Sequence, residues 1–179
     1  IVSAIREGRV IFGNIRRFAA FLLSCNLSEV LVVGLAVLLA LPLPLMPIQI
    51  LYLNLVTDVF PAFALASGEG DAQVMQRPPR SPGEPILGRR QWRGIVLHGL
   101  VLTAGTLGSL LLARYWLGLE GRALVTTTFL TLAFAQLGHV FNMRPSGSSA
   151  WRNEITCNPW IWAALALCTA LLADRKSTR

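Results

Sequence analysis

Residues 48–66 read IQILYLNLVTDVFPAFALA, an apolar run interrupted by Asn54, Thr57 and Asp58. As a helix, a run of this length rises ~28 Å at 1.5 Å per residue, close to the ~30 Å thickness of a bilayer's hydrocarbon core. A carboxylate at the centre of such a span costs about 2.5–3.5 kcal/mol on insertion scales, so its presence points to function. Asn54, Thr57 and Asp58 follow the i, i+3, i+4 spacing and share one helix face. Pro61 lacks the N–H that would bond to the Thr57 carbonyl four residues earlier, which frees a backbone oxygen beside Asp58. Membrane proteins tolerate broken helices where they line an ion cavity.

Working outward, Pro42, Pro44 and Pro47 separate this run from an earlier apolar block, Phe18–Leu41. The short uncharged link makes the two an antiparallel hairpin. The earlier block carries Asn26 and Glu29 at i, i+3. Glu29 lies ~16 Å along its span and Asp58 ~15 Å along the returning one, so both carboxylates are expected near the midplane. Two facing carboxylates raise one another's proton affinity unless a cation or proton lies between them. Oxygen donors from Asn, Thr, Asp and Glu suit a hard cation such as Ca²⁺. Asn26 and Thr57 alone would read equally as interhelical hydrogen-bonding groups. The pair of acids at one depth is what argues for a site.

The rest of the chain fits the same solvent. Only 14% of residues are charged, 54% are hydrophobic and the mean hydropathy is +0.56, whereas soluble domains carry about 25% charged residues. Further apolar blocks cover Gly94–Leu117, Ala123–Phe141 and the shorter Trp160–Ala173. The expected fold is an all-α, polytopic transmembrane bundle of about five helices, the last one truncated. Arginines cluster before the first span, after the second and after the fourth. The positive-inside rule makes that side the cytoplasm, with the amino-terminal end of the chain on it. The net charge of +7 is thereby assigned to orientation, not to nucleic acid. Residues 1–17 are expected to form a cytoplasmic stalk helix, 18–173 the membrane domain, and 174–179 an unpacked, non-native basic tail. The chain starts at Ile1 without a signal pattern, as a segment of a longer protein would. Cys25, Cys157 and Cys168 make no disulfide framework or CxxC motif, and one thiol among oxygen donors is a poor soft-metal site. In the fourth span Gln136, His139 and Asn142 share a face. Gln136 reads either as a neutral ligand or as an interhelical packing group, His139 as structural, and His98 as isolated.

Four stretches together carry a family resemblance: EGRVIFGNIRRF (Glu7–Phe18), SCNLSEV (Ser24–Val30), PIQILYLNLVTDVFPA (Pro47–Ala62) and MQRPPRSPGEPIL (Met75–Leu87). The chain resembles the carboxy-terminal membrane half of cation-transporting P-type ATPases, on the calcium-pump branch. The resemblance implies the fifth to ninth of ten transmembrane helices, with cation ligands at Asn26, Glu29, Asn54, Thr57 and Asp58. The eighth-helix ligand position is Gln136, where family members with two calcium sites carry Glu; this departure favours one divalent ion per cycle. Sodium–potassium pumps resemble this region but usually carry Asp at the position of Asn54. The resemblance also implies that Ca²⁺ is the transported ion, and that ATP and Mg²⁺ act through actuator, phosphorylation and nucleotide domains upstream. The loop after the second span would contact the phosphorylation domain. A bacterial inner membrane is the expected setting. Mn²⁺ or monovalent cations remain compatible with hard ligands, as does a non-enzymatic ion-pathway module or an inactive remnant.

Overall fold

The computed structural model describes residues 1–70, 74–76, 78, 83–144, 151 and 153–177. Among the described residues six α-helices run in chain order: α1 Val2–Leu38, α2 Pro47–Tyr52, α3 Val59–Ala66, α4 Arg89–Tyr115, α5 Gly121–His139 and α6 Pro159–Ser177. A π-helical segment, Leu53–Asp58, joins α2 to α3, so the second apolar block is one rod with a wide turn in its middle. Short 3₁₀ turns occupy Val74–Gln76 and Val140–Met143. Four stretches are long and apolar enough to cross a membrane, Val2–Leu38, Pro47–Ala66, Arg89–Tyr115 and Gly121–Met143, with Pro159–Asp174 a shorter apolar helix. The bundle and its short fifth block are thus as the hydropathy pattern implies. Arg77, Arg80, Arg152, Thr178 and Arg179 lie outside the described residues.

Helix α1 has 37 residues, ~56 Å of continuous rise, which is far more than a hydrocarbon core needs. It runs without a break through Phe18. Three side chains before Phe18 tie it to later parts of the chain. Asn14 is buried and donates to the carbonyls of Ala66 at 3.1 Å and Gly68 at 2.6 Å, satisfying the open end of α3. Arg16 donates to the Ile86 carbonyl at 2.7 Å and pairs with Glu84 at 3.0 Å, while Arg17 pairs with Glu154 at 2.6 Å. Arginines that composition assigns to orientation alone also fasten loops.

The apolar segment of α1 ends in a reverse turn. Ala40 adopts φ 50°, and Leu41 N–H donates to the Ala36 carbonyl at 2.8 Å, the six-to-one bond of a left-handed helix cap. Pro42 then forbids continuation. Helix α1 packs along α4 and α3, α4 along α5, and α3 along α6, so α1 and the broken rod occupy the middle of the bundle. Gly99 allows a close α1–α4 approach: a Cβ there would stand 2.9 Å from Leu27 Cδ2. One apolar cluster around Phe21, Cys25, Leu65, Val140 and Ile161 lies toward the arginine-rich end. A second, around Val32, Leu53, Phe129, Leu132 and Leu172, lies toward the other.

The backbone of α6 runs on past the apolar block to Ser177.

Candidate cation site

Between the two apolar clusters sits a polar one, built on three elements. The π-helical segment supplies Asn54, Thr57 and Asp58. Its widened turn coincides with the proline effect read from the sequence: Pro61 cannot donate to Thr57, and the i→i+4 ladder gives way there. Side chains fill in for the ladder. Thr57 Oγ1 donates to the Leu53 carbonyl at 2.9 Å, Asn54 Nδ2 donates to that of Ile50 at 3.0 Å, and the Cys168 thiol of α6 donates to that of Val56 at 3.1 Å.

Helix α1 supplies Glu29, 3% exposed. Its two oxygens accept from different helices: Oε2 from Asn54 Nδ2 at 3.1 Å and Oε1 from Gln136 Nε2 at 2.9 Å. The Thr57 hydroxyl shares its one proton between the Leu53 carbonyl and Gln136 Oε1, which lies 3.2 Å away on α5. Gln136 therefore joins α1, the π segment and α5, and the alternatives of ligand and packing group are not exclusive. The equal depth of the two acid-bearing spans, which residue counting only estimated, follows from the Asn54–Glu29 bond.

Asp58 is 1% exposed, and neither carboxylate oxygen has a hydrogen-bonding partner among the described residues. The Cys25 thiol, a weak donor, stands beside it without making a regular hydrogen bond. A buried, unpartnered carboxylate is expensive, so Asp58 is the side chain in this cluster with most to gain from a cation. As a lone thiol among oxygen donors Cys25 makes a poor soft-metal ligand, and its spacing of four residues from Glu29 is the sequence signal that it shares the buried face.

Asn26 is not brought into the cluster. It is exposed, and its Nδ2 donates to the Leu22 carbonyl of its own helix at 2.9 Å. The buried face of α1 carries Phe21, Cys25, Glu29, Val32 and Ala36, and Glu29 lies at its edge. An i, i+3 neighbour is displaced by about 60° around the helix, which carries Asn26 past that edge. His98 is not isolated either. Its ring lies 4.8 Å from that of His139, which is 2% exposed and stacks on Phe21 at 5.9 Å. Asn142 Nδ2 lies 3.2 Å from His139 Nδ1, in keeping with the structural role expected of His139.

Apolar helices of spanning length, arranged around a partly unwound one with buried acids, define a polytopic helical membrane protein. Residues 42–173 match the family model described as cation transporting ATPase, C-terminus, and the chain belongs to that family as its carboxy-terminal membrane region. It is 45% identical over 154 residues to the calcium-transporting ATPase of Bacillus subtilis (strain 168), covering 86% of this chain and 17% of that protein. It is 34% identical over 185 residues to calcium-transporting ATPase 1 of Bacillus cereus (strain ATCC 10987 / NRS 248), covering 93% of this chain and 20% of that protein. The chain thus spans about a fifth of the length of these relatives.

Proposed function

We propose that this chain carries the intramembrane transport site of an ATP-driven Ca²⁺ pump, with Glu29, Asn54, Thr57, Asp58 and Gln136 as cation ligands. The observation that carries the proposal is the convergence of two buried carboxylates, two amides and a hydroxyl from three elements at one level of the bundle. The printed names of both bacterial relatives support Ca²⁺ as cargo. The amides of Asn54 and Gln136 donate to Glu29 in this geometry, and half a turn about their last torsions presents oxygen instead. Two carboxylates balance one divalent ion, so one Ca²⁺ per cycle is the proposed stoichiometry. Asn26, on the open side of α1, joins the ligand set where a further helix of the parent packs there.

The chemistry that drives transport belongs to upstream domains of the parent. ATP, with Mg²⁺, forms an aspartyl phosphate there, and the loop after Ala66 transmits its state to the membrane. Residues 1–17 form the cytoplasmic stalk, since the arginine-bearing end of the bundle is the cytoplasmic one. That both relatives are bacterial proteins supports a bacterial plasma membrane as the location.

The test is Asp58→Asn in the full-length parent. The substitution keeps shape and removes the charge that has no other partner. Ca²⁺-dependent phosphorylation by ATP should be abolished, while phosphorylation from inorganic phosphate, which needs the site empty, survives. Near-normal Ca²⁺ activation would place the ion elsewhere. Running the same assay with Mn²⁺ separates the two hard cations.

A further inference from the structure

A cavity of about 280 Å³ opens between α1, α4 and the end of α5, at the arginine-rich end of the bundle. Its walls include Arg16, Arg17, Arg90 and Arg144, with Gln91 and Asn142 as neutral donors, and among the described residues no Asp or Glu lines it. Glu84 and Glu154 pair with Arg16 and Arg17 from outside the cavity. Arg90 stands in the first turn of α4, where the helix dipole adds positive potential. Arg90 and Arg144 are exposed at the cavity's mouth.

The depth of this cavity distinguishes it from an ordinary basic surface. Arg16 and Arg17 immediately precede the apolar span at Phe18, and Trp92, half exposed, lies just past Arg90. Aromatic and basic residues at a span end mark the level of phospholipid headgroups. Beyond Trp92, α4 presents Val96, Leu97, Leu100 and Val101, which are 45–61% exposed. A strip of exposed aliphatic side chains suits acyl chains. Basic pockets between transmembrane helices on the cytoplasmic side are built for anionic headgroups.

We propose that this cavity binds the phosphate of an anionic phospholipid whose acyl chains lie along the exposed face of α4. The proposal is independent of the cation site, which lies deeper in the bundle and uses none of these residues. The shared chemistry is an anionic phosphate, and the experiment separates lipid from free phosphate. The full-length parent is delipidated and placed in phosphatidylcholine nanodiscs, and binding of added phosphatidylglycerol is measured by native mass spectrometry. Each basic side chain near a membrane surface contributes about 1 kcal/mol, about five-fold in affinity. Phosphatidylglycerol binding to Arg90→Gln/Arg144→Gln should therefore weaken about 25-fold. Arg90→Lys/Arg144→Lys, which keeps both charges, should retain most of it, and Arg122→Gln, in the first turn of α5 at the far end, should change nothing. Both substituted positions are exposed, and an unchanged melting temperature shows that the fold is intact. Equal lipid binding by wild type and the double Gln variant would overturn the proposal, as would an equal loss in Arg122→Gln. Displacement of phosphatidylglycerol by millimolar inorganic phosphate would assign the cavity to a free anion and overturn the lipid assignment.

Discussion

Replacing Gln136 by Leu removes two interhelical hydrogen bonds while nearly conserving volume. The bond from Gln136 Nε2 to Glu29 Oε1, at 2.9 Å, has a charged acceptor, a class that contributes about 1.5–3 kcal/mol. The bond from Thr57 Oγ1 to Gln136 Oε1, at 3.2 Å, is neutral, and interhelical bonds of that kind average about 0.6 kcal/mol in membranes. The expected loss is therefore about 2–3.5 kcal/mol in the membrane region. A single variant also changes the hydration of whatever it exposes, so the clean measurement is a double-mutant cycle. Gln136→Leu, Glu29→Leu and their combination are compared in the full-length parent by detergent unfolding of the membrane region. The coupling between positions 29 and 136 should be about 1.5 kcal/mol or more, whereas Gln136→Leu and Asn26→Ala should add within about 0.5 kcal/mol. Coupling at 29–136 no larger than that control would refute the shared hydrogen bond, and with it the three-element cluster.

Three further outcomes follow from the packing. Asn14→Ala leaves the Ala66 and Gly68 carbonyls without their donor and should cost about 1–2 kcal/mol. Limited proteolysis should then cut faster in the segment after Ala66, and an unchanged cleavage rate would count against the cap. Ala40→Gly relieves the positive φ at the end of α1 and should stabilise by about 0.5–1 kcal/mol, read as a rise in melting temperature; a fall would contradict the left-handed assignment. Gly99→Leu forces a side chain against Leu27 and should destabilise by about 1–3 kcal/mol, whereas Gly94→Leu, where a Cβ meets nothing within 4 Å, should be close to neutral.

The sequence by itself determined the architecture. Apolar blocks of bilayer length, separated by prolines and arginine-bearing segments, leave few alternatives, because a chain in hydrocarbon must satisfy its own backbone hydrogen bonds and helices do so locally. Local rules likewise made the second span discontinuous, since Pro61 acts on a carbonyl four residues away. They also put Asn54, Thr57 and Asp58 on one segment and made Glu29 their counterpart at equal depth. The tertiary structure alone decided which groups meet. Asn26 and Glu29 stand about 60° apart around α1, and the packing of α1 against α4 and α3 sets the edge of its buried face between them. Gln136 touching both Glu29 and Thr57, Cys25 beside Asp58, and Cys168 on the Val56 carbonyl are contacts between residues far apart in the chain. Periodicity along a single helix carries no information about the rotation of its neighbour. The same limit applies to Asn14 and the paired arginines, whose partners depend on where the loops return to α1.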